Sequence, residues 1–167
     1  AGVLSENAVT VAYSYIGPKL TYPIYYDGTI GQAKRHLTKT AEKINEKYSD
    51  VKAYISVNKA LVTQASAAIP IVPLYFAILY KVMKAQGTHE GCIEQISRLF
   101  HEKLFVEKPV TDEQGRIRMD DWELSDEVQD KVMECWKNVT TENVTELSDI
   151  DGYWQDFYQM FGFHINS

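Results

Sequence analysis

The chain has 167 residues, 45% of them hydrophobic, which is the size of one ordinary domain and enough apolar material for a sizeable core. A formal charge of −6 and the lack of a dense Lys/Arg cluster argue against nucleic acid as a partner. The longest apolar run, residues 67–80, is shorter than the ~20 residues of a membrane span and holds two prolines, and the two cysteines, Cys92 and Cys135, lack zinc-site spacing.

The chain opens on "AGVLSENAVTVAYSY", with no initiator methionine and no charged-then-apolar leader, and reads like the middle of a longer sequence. "VTVAYSYIG" (9–17) is β-branched and aromatic and ends in a Gly-Pro turn, which predicts a buried strand. A helix follows the Asp27-Gly28-Thr29 break, its apolar positions Ile30, Ala33, Leu37, Ala41, Ile44 and Tyr48 stepping by three or four to form one buried face. "VKAYISVN" (51–58) is a second strand. Strand, long amphipathic helix and strand in succession make a βαβ unit over a parallel sheet, so the fold class is α/β. Two strands do not make a covered parallel sheet, so further strands must come from elsewhere.

Beyond residue 70, helices are predicted over 70–86, 89–105 and 125–139, the last with Ser125 three residues before Val128 and acidic residues in its first turn. "VTDEQGRIRMDDWEL" (110–124) carries a Glu113-Gln114-Gly115 turn and reads as a small hairpin or an ordered loop. The Asn-Val-Thr tripeptides at Asn138 and Asn143 match the glycosylation pattern, but nothing else looks secreted, and the cysteines read as reduced thiols of an intracellular protein. His89, His101 and His164 have no partner at metal spacing, so no metal is expected.

Chemistry concentrates in "YPIYYDGTIGQAKRHL" (22–37). Tyr25 and Lys34 would lie on opposite faces of one continuous helix, because nine steps of about 100° amount to half a turn. If Gly28 starts the helix and Tyr25 lies in the loop before it, the phenol folds back over the first turns and the lysine reaches it from the third. A lysine ammonium close to a phenol favours the phenolate and makes proton transfer at neutral pH easier. From the residues alone Tyr13, Tyr15, Tyr22 and Tyr26 compete for this role, since most of a tyrosine cluster is packing.

"YSYIGP", "YPIYYDGTIGQAK", "VNKALVTQASAAIPIVPLY", "HEGCIEQISRLF" and "GRIRMDDWEL" together resemble the trans-2-enoyl-CoA reductases and the related NADH-dependent enoyl-acyl-carrier-protein reductases of the FabV type, over essentially the whole chain. The resemblance implies the C-terminal part of a Rossmann-like sheet related to the short-chain dehydrogenases, followed by a mostly helical substrate side. Residues 1–69 would hold the second part of the NAD-binding fold, and 70–167 the acyl-binding and C-terminal region. It implies reduction of the carbon–carbon double bond of trans-2-enoyl thioesters, enoyl-CoA or enoyl-ACP, by NADH, in fatty acid synthesis or fermentation. The compartment would be cytoplasmic, or mitochondrial in a eukaryote.

Tyr25 and Lys34 match the family's Tyr-x8-Lys motif, Tyr25 as proton donor and Lys34 as its electrostatic partner and a ribose contact. Thr63, Gln64 and Ala65 are carried over as NAD contacts, and Ser66 and Tyr15 as substrate contacts. Thr63 and Ser66 have the other reading of helix caps, Tyr15 that of a packed strand tyrosine, and residues 69–80 those of acyl-cavity lining or plain core. The family's N-terminal half, with its glycine-rich dinucleotide loop, has no counterpart here: the glycines form no GxGxxG between strand and helix. The chain alone would then be inactive, with an uncovered sheet edge that calls for that half as a partner. The alternatives are a carbonyl-reducing short-chain-dehydrogenase relative and a non-catalytic binding module.

Overall fold

A computed structural model describes residues 3–165, which fall into two compact units. The first comprises residues up to Lys59 with Ile93–Asp120, the second Ala60–Cys92 with the residues from Asp121 on. The division expected at residue 69 therefore coincides with neither unit, because the segment 93–120 returns to the first.

In the first unit β1 (Ala8–Ser14), α1 (Tyr22–Tyr25), α2 (Thr29–Lys47) and β2 (Val51–Val57) follow in order. The strands run parallel, Ala12 beside Ile55 and Ser14 beside Val57, which is the βαβ unit anticipated. β3 (Arg116–Arg118) adds to the free side of β2, also parallel, in the order β1-β2-β3. The segment 110–124 is thus neither hairpin nor plain loop, and the region after residue 70 is not all helix. The Asp112 carboxylate makes the difference: it accepts the amides of Gln114 (3.0 Å) and Arg116 (2.9 Å), and the turn it closes sends the chain alongside β2. β3 reaches β2 only from Ile55 on. At Ala53 the side chain of Asn45 takes over, bonding both the amide (2.7 Å) and the carbonyl (2.8 Å) of that edge residue.

Ala53, Ile55 and Val57 alternate as the buried face of β2, and α2 packs on this strand. The opposite face is covered by Leu99, Leu104, Ile117 and Met119, packed with Val11, Tyr54 and Phe100. The segment predicted as one helix from residue 89 starts instead at Cys92, as α5 (Cys92–Arg98), and ends in a π-turn at Leu99–Leu104. β1 is not the buried strand its composition suggests: it lies on the edge of the described sheet, with Val9 42% and Tyr13 52% exposed. The apolar face of α2 is only half-buried, with Ala33 and Tyr48 exposed, because the sheet beneath it is narrow.

The second unit is helical: α3 (Gln64–Ala67), α4 (Val72–Gln86), α6 (Asp126–Asn138), α7 (Val144–Leu147) and α8 (Ile150–Gln159). α4 buries residues on all sides, among them Tyr75, Phe76, Leu79 and Tyr80, so most of the stretch from Val72 to Tyr80 packs inside this unit, while Ile71 is exposed. Ser125 caps α6 by accepting the Val128 amide, with Asp126 and Glu127 in the first turn, as its sequence indicated. Among the described residues no helix is long and apolar enough to cross a membrane, no three His, Cys, Asp or Glu side chains cluster to hold a metal, and both cysteines are free.

Candidate active site

The junction between α1 and α2 is where the chain turns its two central side chains toward each other. Tyr25 lies in the last turn of the short helix α1 rather than in a loop, because Pro23 presets the backbone of its first turn. The amides of Tyr26 (2.9 Å) and Asp27 (2.8 Å) both end on the Tyr22 carbonyl, closing α1, and α2 restarts after Gly28. This break cancels the half-turn that a continuous helix would impose. Lys34 comes from the second turn of α2, one turn earlier than expected.

Gly31 makes the junction tight. A Cβ at this position would fall on the Tyr26 carbonyl, so only glycine lets the end of α1 lie against α2. Arg35 closes the other side, donating to the same carbonyl (2.9 Å) with its guanidinium over the Tyr26 ring (5.6 Å).

Of the competing tyrosines, two meet the lysine. The Lys34 Nζ lies 5.0 Å from the ring centroid of Tyr25 and 5.6 Å from that of Tyr15, and it donates to the Tyr15 carbonyl. The two rings meet edge to face, 4.9 Å apart at 87°. Tyr25 is 8% exposed, whereas Tyr26 is 45% exposed and stacks on Tyr22, and Tyr13 stands out from the exposed strand edge. Lys34 and Tyr25, with Ser14, Thr38 and Arg116, line a cavity of about 250 Å³. Burial brings the Lys34 ammonium down to about 8, so it is charged at neutral pH and close to losing that charge.

This arrangement sets a buried phenol, a cation beside its ring and an adjacent cavity together, the parts a proton transfer can use. The Lys34 ammonium offers hydrogen-bond donors beside this cavity. Thr63, Gln64, Ala65 and Ser66 belong to the second unit. There Thr63 and Ser66 form a reciprocal capping box at the head of α3: the Thr63 side chain accepts the Ser66 amide (3.1 Å) and the Ser66 hydroxyl accepts the Thr63 amide (2.9 Å). The capping reading of these two residues therefore holds, and it leaves Gln64 and the backbone of Ala65 outside the box.

Sequence reasoning missed Gly31, Arg35 and Arg116. A glycine inside a helical pattern is a usable signal of close backbone approach, so Gly31 was within reach. Arg116 carried no such signal, since its place depends on how β3 pairs.

A sequence profile described as the trans-2-enoyl-CoA reductase catalytic region matches residues 1–105, and one described as an enoyl reductase FAD binding domain matches 111–167. The chain is 60% identical, over 99% of its length, to an enoyl-(acyl-carrier-protein) reductase (NADH) of Cytophaga hutchinsonii, of which it spans 43%. It is 54% identical, again over 99%, to the trans-2-enoyl-CoA reductase of Euglena gracilis, of which it spans 31%. The crystal structure of the Treponema denticola trans-2-enoyl-CoA reductase in complex with NAD superposes with a TM-score of 0.95 at 50% identity, covering 99% of this chain and 42% of that one. The chain thus spans less than half the length of these relatives.

The residues of 111–165 do not fit a flavin. A glycine-rich pyrophosphate turn offers successive free amides, whereas Gly115, Gly152 and Gly162 stand singly and the Gly152 amide already donates to the Asp149 carboxylate (3.1 Å).

Proposed function

The chain belongs to the trans-2-enoyl-CoA reductase family, and from that membership we propose that it is the C-terminal part of an enzyme that reduces the carbon–carbon double bond of trans-2-enoyl thioesters with NADH, the acyl group being carried on coenzyme A or an acyl carrier protein. The observation that carries the reading is the Tyr25–Lys34 pair beside its cavity. When bound, NADH supplies the hydride for the β-carbon. The Tyr25 hydroxyl donates to the enolate that results and supplies the proton that completes the saturated thioester. Lys34 stabilises the phenolate left behind and holds the nicotinamide ribose.

Thr63, Gln64 and Ala65 are the further cofactor contacts in this reading, and Tyr15 and Ser66 face the substrate. Of the residues from 70 on, those of the second unit supply the acyl side, 93–120 belonging to the first unit. The rest of the enzyme, preceding this chain, provides the dinucleotide's remaining site and covers the β1 edge, where Val9 and Tyr13 are exposed. We place the reaction in the cytoplasm, within fatty acid synthesis or fermentation.

The test is NADH oxidation by crotonyl-CoA with the full-length enzyme. Turnover is expected with the enoyl thioester and not with a ketone of similar size, and none from the 167-residue chain alone. Ketone reduction without enoyl reduction would put the carbonyl-reducing alternative first. The lysine also sets a pH limit: its charge is present below about 8 and lost above it, so kcat/KM should fall as the pH rises through that value. In Lys34→Arg, whose guanidinium stays charged, the alkaline fall should vanish at a lower plateau; an unchanged profile would remove Lys34 from the mechanism.

A further inference from the structure

In the second unit two tyrosines of α4 reach the segment that leads into Thr63, Tyr80 directly and Tyr75 through Glu123. The Tyr75 hydroxyl donates to one oxygen of Glu123 (2.7 Å), and the other oxygen accepts the Ala60 amide (2.6 Å). The Tyr80 hydroxyl accepts the Val62 amide (3.3 Å) and is also bonded to the Asp156 carboxylate. Gln129 completes the group, donating to the Glu123 carbonyl (2.7 Å) and to the Tyr75 hydroxyl (3.3 Å). Glu123 and Tyr75 are fully buried, and Tyr80 is 1% exposed.

Packing alone does not call for this chemistry. Phenylalanine would fill the same space on α4, and a buried carboxylate is costly unless hydrogen bonds satisfy it. What they hold are two alternate amides of 60–62, immediately before the capping box that orients Thr63. Burial pushes the Tyr80 phenol well up, so it keeps the proton it shares with Asp156 while its lone pair takes the Val62 amide.

We propose that Tyr80 and the Tyr75–Glu123 pair are positioning residues that fix the segment 60–62, and thereby set how tightly Thr63 and its neighbours hold NADH. The proposal rests on the reading of Thr63, Gln64 and Ala65 as cofactor contacts. An anchored segment presents its contacts already ordered, whereas a loosened one must be ordered each time the cofactor binds. The effect therefore falls on cofactor affinity rather than on the chemical step.

The experiment compares Tyr80→Phe, Glu123→Gln and Thr63→Ala with the wild type in the full-length enzyme, reading the KM for NADH, the KM for crotonyl-CoA, kcat, and hydrogen exchange of the peptide spanning 60–66. Tyr80→Phe keeps the ring in the core, so the fold survives the loss of the hydroxyl. It should raise the KM for NADH about 5- to 20-fold, with kcat within about 2-fold, crotonyl-CoA KM unmoved and faster exchange in the peptide. Glu123→Gln, which keeps the volume and one acceptor, should give a smaller rise of the same kind. If Thr63→Ala raises the KM for NADH while Tyr80→Phe lowers only the melting temperature, the positioning role is overturned and the cofactor reading stands. If Thr63→Ala leaves that KM unchanged, the reading of the loop falls and the positioning role with it.

Discussion

Tyr25→Phe is expected to slow enoyl thioester reduction by about 10²–10⁴-fold, the contribution of a positioned general acid. The phenyl ring keeps its edge-to-face contact with Tyr15 and its place beside Lys34, so the α1–α2 junction should fold as before. Only the O–H is lost. On the proposed role, in which the hydroxyl acts as charge develops on the thioester oxygen, kcat and kcat/KM should fall together, with the KM for NADH little changed. Steady-state kinetics with crotonyl-CoA, alongside a melting curve to verify folding, make the measurement. The neighbouring Tyr26→Phe serves as the internal comparison: it is half-exposed and stacked on Tyr22, and should cost little. Undiminished turnover in Tyr25→Phe would leave the chain as a binding module with a packed tyrosine.

Gly31→Ala should destabilise the protein and disable the site, the reverse of what this exchange usually does inside a helix. Alanine normally stabilises a helix interior over glycine by roughly 0.5–1 kcal/mol, since glycine loses more backbone freedom on folding. Here the added methyl would overlap the Tyr26 carbonyl, a backbone atom that gives way only if α1 shifts as a body. The overpacking should cost about 1–3 kcal/mol, outweighing the propensity gain. Tyr25 precedes the displaced residue, so the phenol moves relative to Lys34, and a displacement on the order of 1 Å is enough to lower kcat by about 10²-fold. Thermal unfolding and kcat measured on one preparation test both halves. A stabilised, fully active Gly31→Ala would mean that the junction accommodates a side chain and that its tightness does not set the Tyr25–Lys34 geometry.

Legibility in the sequence followed the range of the interactions. β1, α2 and β2 could be read because periodicity and β-branching are local, and Ser125 because a cap acts three residues away. β3 could not: Arg-Ile-Arg is too short to show a period, and what makes it a strand is the Asp112 turn and a partner far away in sequence. The burial of β1 was overestimated for a related reason, since composition reports what a strand suits and not which neighbours cover it. Tyr25 and Lys34 were singled out by the resemblance to a family motif and not by their spacing alone, and their meeting depends on Gly31 and Arg35, whose roles appear only when the helix break is seen in space. The Tyr75–Glu123 contact, 48 residues apart, had no local signature at all.

The most direct measurement is the mass spectrum of the product formed from crotonyl-CoA and NADH by the full-length enzyme in D₂O. Reduction of the double bond, with the proton passing through the exchangeable hydroxyl of Tyr25, predicts butyryl-CoA carrying one deuterium on its α-carbon. Unconsumed crotonyl-CoA, or a product with no deuterium bound to carbon, would contradict the account.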